Sequence, residues 1–110
     1  MALVGWIEQP DLNYAAIVIA DEDSGDTLEI QRSLVFDGQD VSLAMDTYCL
    51  VRSGAAHYGG VEFYEIGDSF VEFSLSSEAA EALELPSSFQ IPVDAEGAAI
   101  LRRRLPGLLR

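Results

Sequence analysis

Short apolar runs separated by turn residues occupy the first three quarters of the chain and predict β-strands. The runs at residues 2–7 and 14–20 flank a Gln-Pro-Asp cluster, which is typical of a turn. The second run lacks polar alternation, which favours a strand buried on both faces inside a sheet. Further strands are predicted at residues 27–33, 47–52, 61–66, 70–75 and 89–93.

The strands at 61–66 and 70–75 are predicted to form a hairpin around Gly67 and Asp68. A two-residue loop would bury Glu62 beside Val71 and Phe73. A three-residue loop avoids this cost, although it turns Glu65 inward near the turn, and is therefore favoured. In that register Val61 and Phe63 face the core. The outward residues are Glu62, Tyr64, Phe70 and Glu72.

Two helices are predicted in the last third of the chain. The sequence Ser76-Ser77-Glu78 provides a capping serine and an acidic first turn, and Pro86 is expected to end that helix. Asp94 is expected to cap a second helix that runs to about Leu105 and stops at Pro106-Gly107. The apolar stripe of the first helix is Ala79, Ala80 and Leu83.

The order of these elements predicts the fold class. Strands come in runs and helices come late, so a βαβ arrangement is disfavoured. At 110 residues the chain is expected to form one domain, residues 1–110, with a core that needs no disulfide or metal. We predict an α+β fold with an antiparallel-rich sheet of about five to seven strands and two helices on one face.

The charge is strongly negative, with 19 acidic residues, six arginines and a formal net charge of -13. This balance disfavours nucleic acid and anionic membranes as partners and favours a basic partner, although it also suits simple solubility. Four arginines lie in the last nine positions, and Arg32 and Arg52 are expected to form structural ion pairs. One cysteine, no signal sequence and no membrane-length apolar run predict a cytoplasmic protein.

Motifs for catalysis, cofactors or metals are weak. Cys49 and His57 could form a nucleophile pair across neighbouring strands, but a cysteine in an apolar strand is more typical of the core. The acidic loop at 21–26 does not match EF-hand spacing. Gly59 and Gly60 are more typical of a turn than of a ligand-binding loop. We therefore predict no enzyme, no cofactor and no metal site.

Several short stretches, in order, resemble one protein family. They cover about half the chain, residues 28–86, and this ordered set is similar to the immunity protein 10 family of bacterial polymorphic-toxin systems. The arginine-rich segment at 102–107 departs from the uninterrupted charged helix of that resemblance. The matching stretches are LEIQRSL at 28–34, MDTYC at 45–49, YGGVE at 58–62, Leu75-Ser76, Ala79-Ala80, Leu83 and Leu85-Pro86.

The resemblance implies a cytoplasmic inhibitor that binds a cognate toxin, with no catalytic residue to carry over. An acidic inhibitor suits a basic nuclease toxin. The alternative is an acidic interaction module or secretion adaptor without a toxin partner, and a small hydrolase ranks third. The pattern leaves the oligomeric state open. Acids interleaved with aromatic residues suit a binding surface. The predicted toxin-binding residues are Asp46, Tyr48, Tyr58, Glu62, Tyr64 and Glu72.

Overall fold

A computed structural model describes residues 1–35, 38 and 47–110. Within these residues the chain forms eight strands in two antiparallel sheets and two α-helices. A short 3₁₀ turn, Pro10–Leu12, links the first two strands. The elements are β1 Ala2–Gln9, β2 Tyr14–Asp21, β3 Thr27–Arg32, β4 Cys49–Arg52, β5 Ala55–Tyr58, β6 Val61–Ile66, β7 Phe70–Leu75, α1 Ser77–Leu83, β8 Ser88–Pro92 and α2 Ala95–Leu109.

The predicted α+β class is confirmed, with the helices in the C-terminal part of the chain. The first sheet has the order β1-β2-β3-β4-β5 and the second has the order β6-β7-β8. Strand β2 pairs on both sides, and Ala15, Ala16 and Ile17 are buried in succession. The unalternated apolar run therefore does lie inside a sheet, as predicted.

The strands divide between two sheets at Gly59 and Gly60, where the chain passes from β5 to β6. Both glycines have positive φ, at 72° and 106°, which side-chain-bearing residues rarely adopt. The Gly59 N–H donates to the carbonyl of Tyr48, and the Gly60 carbonyl accepts from the N–H of Ser76. A Cβ at Gly60 would lie 2.5 Å from that of Ala79. The predicted turn is confirmed. It separates β5 of the first sheet from β6 of the second, whereas the sequence suggested a single sheet.

One core joins both sheets and both helices. Apolar side chains of β2, β3, β7, α1 and α2 belong to the same buried cluster. Helix α1 begins as predicted, because the Ser76 hydroxyl accepts from the N–H of Ala79, and Asp94 caps α2 by accepting from the N–H of Gly97 at 2.7 Å. No helix in the described part of the chain is long and apolar enough to cross a membrane.

The hairpin register differs from both sequence-based alternatives. Ile66 pairs with Val71 and Tyr64 with Phe73, while a β-bulge at Glu62 brings Val61 opposite Leu75. The bulge inserts one residue and so reverses the alternation within β6. Val61, Tyr64 and Ile66 pack against the core, and Glu62, Phe63 and Glu65 are exposed. The bulge keeps both glutamates in water, which neither regular register could do.

Helix α2 continues past the predicted stop at Pro106-Gly107 and ends at Leu109. Proline removes one backbone N–H from the helix, but Pro106 and Gly107 lie on the exposed side. The buried side keeps its helical spacing, with Leu101, Leu105 and Leu108 all in the core. Packing of Leu108 therefore offsets the missing hydrogen bond.

Candidate partner-binding surface

The outer face of the three-stranded sheet exposes an aromatic ring among carboxylates. Phe63 is 51% exposed, and it lies on the same side as Glu62 and Glu65 because of the bulge. Glu72 faces outward from the neighbouring strand, directly opposite Glu65. We call Glu62, Phe63, Glu65 and Glu72 the hairpin face. An exposed aromatic ring with an acidic surround suits an interface core with a charged rim.

The hairpin face brings like charges together across neighbouring strands. Glu65 and Glu72 are a directly opposed cross-strand pair, and like charges in such positions destabilise a sheet. Gln90 on β8 relieves part of this cost, because its Nε2 donates to Glu72 Oε1 at 2.9 Å. Strands β6, β7 and β8 contain no Lys, Arg or His. A cationic group from a partner would therefore meet uncompensated carboxylates.

Two of the predicted toxin-binding residues, Tyr48 and Tyr64, lie in or against the core. Tyr48 is 7% exposed, and its hydroxyl accepts from the N–H of Val61 at 2.8 Å, so it holds β6 in place. Tyr64 was predicted to face outward, but it packs against the core because of the bulge. Asp46 lies outside the described residues. These placements leave Glu62 and Glu72 together on the hairpin face.

Tyr58 is also accessible, with 42% of its surface exposed. It pairs in register with Cys49 and therefore points to the outer face of the five-stranded sheet, away from the core residue Leu50. Only the Gly59-Gly60 turn separates it from β6. Tyr58 thus lies on a different sheet from the hairpin face.

The sequence did not predict Phe63 or Glu65 as toxin-binding residues. Alternation alone gives Val61, Phe63 and Glu65 the same direction, which places Phe63 inside. The signal that could have been used is the spacing of the two glutamates. Glu62 and Glu65 are three residues apart, so regular alternation must bury one of them, and only a bulge exposes both.

The possible Cys49-His57 nucleophile pair does not form. Cys49 lies opposite Tyr58 and Leu50 opposite His57, so the two side chains project from opposite faces of the sheet. Burial raises the pKa of the Cys49 thiol, which lowers its nucleophilic thiolate fraction. The ring of His57 instead has its Nδ1 3.1 Å from the carbonyl oxygen of Gly59.

The acidic loop between β2 and β3 is held by its own hydrogen bonds. Asp21 accepts from the N–H of Asp23 and from the hydroxyl of Ser24, each at 3.0 Å, and these bonds lower the pKa of the Asp21 carboxyl. Asp26 pairs with Arg52 at 2.9 Å. Among the described residues, no group of three or more His, Cys, Asp or Glu side chains is arranged to hold a metal ion.

The chain is thus a small α+β domain whose described surface exposes an aromatic ring among carboxylates. A protein-family profile described as Immunity protein 10 matches residues 2–101. The chain belongs to this family, whose members are immunity proteins directed against toxins. No curated protein and no solved structure matches the chain significantly. The match extends the resemblance found in residues 28–86 to the N-terminal strands, to β8 and to the first part of α2.

Proposed function

We propose that residues 1–110 act as one immunity domain, which binds a cognate bacterial toxin in the cytoplasm of the producing cell and neutralises it. The single observation that carries this proposal is the family match over residues 2–101.

We further propose that the hairpin face is the toxin-binding surface. The ring of Phe63 supplies apolar area at its centre, and Glu62, Glu65 and Glu72 meet cationic groups around it. A basic toxin would relieve the Glu65-Glu72 repulsion, so binding would gain from a cost already present in the free protein.

The charge of -13 suits a toxin with a basic surface, such as a nuclease of a polymorphic toxin system. Nucleases bind phosphates through basic residues, and an acidic inhibitor covering that surface would exclude the nucleic acid. The nuclease assignment rests on charge complementarity, and the family supports only a toxin partner in general.

Co-expression with the toxin encoded beside this gene tests the function. Cells that receive the toxin alone are expected to die, and cells that receive both proteins are expected to survive. Glu65→Gln with Glu72→Gln should reduce protection. The matched control is Glu22→Gln with Glu81→Gln, because these carboxylates are also exposed and the net charge changes equally.

The outcomes test the immunity function and the position of the toxin-binding surface separately. Survival that is lost equally in both double variants would reject the hairpin face while keeping the immunity function. Death of cells that express both folded wild-type proteins would reject immunity against that toxin. Stoichiometric capture of a secreted, non-toxic effector from the native cell would instead support the secretion adaptor.

A further inference from the structure

An arginine-lined cavity lies at one end of the five-stranded sheet, and the acidic loop between β2 and β3 lies at the other end. The ends of β1 and β3 and the last turns of α2 line an open cavity of about 260 Å³. Four of the six basic residues of the chain line it, together with the carboxylate of Glu8 and the single tryptophan, Trp6. The four basic residues are Arg32, Arg103, Arg104 and Arg110.

Two of these arginines shape the cavity. Arg32 donates from Nη1 to the backbone oxygens of Leu108 and Arg110, at 3.1 and 2.8 Å. It thereby covers carbonyls that would otherwise repel an anion at this helix end. The guanidinium carbon of Arg104 lies 4.7 Å from the ring centroid of Trp6, a cation–π arrangement that holds both side chains against the wall.

The other two arginines of the cavity are available to a ligand. Arg103 and Arg110 are exposed, and within the described residues neither guanidinium forms a hydrogen bond or an ion pair. Among the described residues, Glu8 also forms no ion pair. Four arginines against the single carboxylate of Glu8 leave the lining of this cavity with an excess of positive charge, which favours an added anion.

We propose that this cavity binds a small phosphate-type oxyanion, held by Arg103 and Arg110 with Arg104 at its wall. Guanidinium groups donate paired hydrogen bonds that match phosphate and carboxylate oxygens. Several arginines around one volume favour the more highly charged phosphate. The volume lies below the roughly 300 to 1,000 Å³ of sites for drug-sized ligands, so the ligand is inorganic phosphate or a small phosphorylated compound.

The cavity lining contains no residue of the hairpin face, and Trp6 provides a direct probe of the cavity. Inorganic phosphate is titrated into the purified chain at constant ionic strength, and tryptophan emission is recorded, because an anion beside Arg104 changes the field at the indole. The expected result is a saturable change in emission, together with a thermal midpoint that rises with phosphate concentration.

Arg103→Ala and Arg102→Ala form a matched pair. Both residues are exposed neighbours on α2, but Arg102 lies outside the cavity and binds Gly67 O and Asp68 at the hairpin turn. Losing a charge-assisted hydrogen bond should weaken phosphate binding about tenfold in Arg103→Ala. Arg102→Ala should bind phosphate within about twofold of wild type, since its charge is remote and screened.

Three results would overturn the proposal. The first is an emission that does not saturate, or that chloride reproduces at equal ionic strength. The second is equal weakening by Arg103→Ala and Arg102→Ala, which would indicate a diffuse charge effect. The third is tighter binding of succinate than of phosphate, which would assign the cavity to carboxylates. The double variant Arg103→Ala with Arg110→Ala should abolish the saturable change and should remain folded.

Discussion

Arg32 and Arg52 each bind the C-terminal carbonyls of one helix. Arg52 donates from Nη1 to the carbonyls of Leu83 and Glu84 at 2.9 and 3.2 Å, while Nε and Nη2 both reach Asp26. This confirms the predicted ion pair for Arg52. Cations favour helix C-termini, where carbonyls lack intrahelical partners. The sequence indicated paired arginines in a negative field, but it could not indicate the carbonyls, because those contacts are 31 and 32 residues distant.

Arg52→Met tests how much this contact contributes to stability. The variant leaves Asp26 and two carbonyls without their donor in a half-buried setting. We expect a loss of about 2 kcal/mol in the free energy of unfolding, measured in urea. Arg102→Met removes an exposed ion pair with Asp68 and should cause no measurable loss. Equal losses in the two variants would contradict the role assigned to Arg52.

Tyr14 gives the fold a defined dependence on alkaline pH. Its hydroxyl donates to Glu29 Oε1, and burial together with that carboxylate raises the pKa of Tyr14 to about 12, from an ordinary value of 10.0. The folded state therefore holds this proton more tightly than the unfolded state. The resulting stability is fully present below pH 10 and is lost as the pH rises to about 12.

The measurement compares the urea midpoint of wild type and Tyr14→Phe from pH 9 to pH 12. Wild type should lose stability more steeply across this window, because the variant lacks the titrating group. Parallel curves for the two proteins would show that Tyr14 does not carry the effect.

At the scale of elements, strand β6 shows where sequence patterns succeed and where they fail. The apolar content of residues 61–66 predicts a strand, and Gly67-Asp68 predicts the turn that follows. The facing of each side chain depends on one inserted residue at Glu62. Alternation has a period of two, so a bulge shifts every later side chain to the other face. That shift turns Phe63 outward and Tyr64 toward the core, which is the reverse of the predicted directions.

Alanine variants of these neighbours test the register. Tyr64 packs against the core, so Tyr64→Ala should reduce the free energy of unfolding by about 3 kcal/mol. Phe63 is half exposed, so Phe63→Ala should cost less than about 1 kcal/mol while hastening toxin dissociation. Urea unfolding and surface-immobilised binding kinetics measure the two effects. A larger stability loss in Phe63→Ala would restore the three-residue-loop register.

Helix α2 also shows which features the local sequence can predict and which it cannot. Asp94 and the start of the helix follow from local chemistry and were predicted. Its end depends on tertiary contacts, because burial of Leu108 and the bonds from Arg32 extend it through Pro106. The bounds of strand β5 were not predicted for a related reason, since the short run Ala55–Tyr58 is defined by its pairing with β4.

Over the whole molecule, charge is separated rather than evenly spread. The carboxylates greatly outnumber the arginines, yet four of the six arginines gather at one cavity, and strands β6 to β8 carry only acidic charges. A partner with a basic surface would therefore be attracted at long range, and the strands of the hairpin face carry no positive charge that would oppose the proposed contact.

This field predicts how the toxin complex should form. With a net charge of -13, attraction should raise the association rate by roughly 10- to 1000-fold at low salt, and screening should remove most of that gain between about 50 and 500 mM salt. Glu65→Gln with Glu72→Gln should slow association more than Glu22→Gln with Glu81→Gln, because the first pair lies on the hairpin face, which we propose as the toxin contact. Phe63→Ala should act mainly on dissociation. Stopped-flow measurements over this salt range separate the two rates, and an association rate insensitive to salt would rule out electrostatic steering.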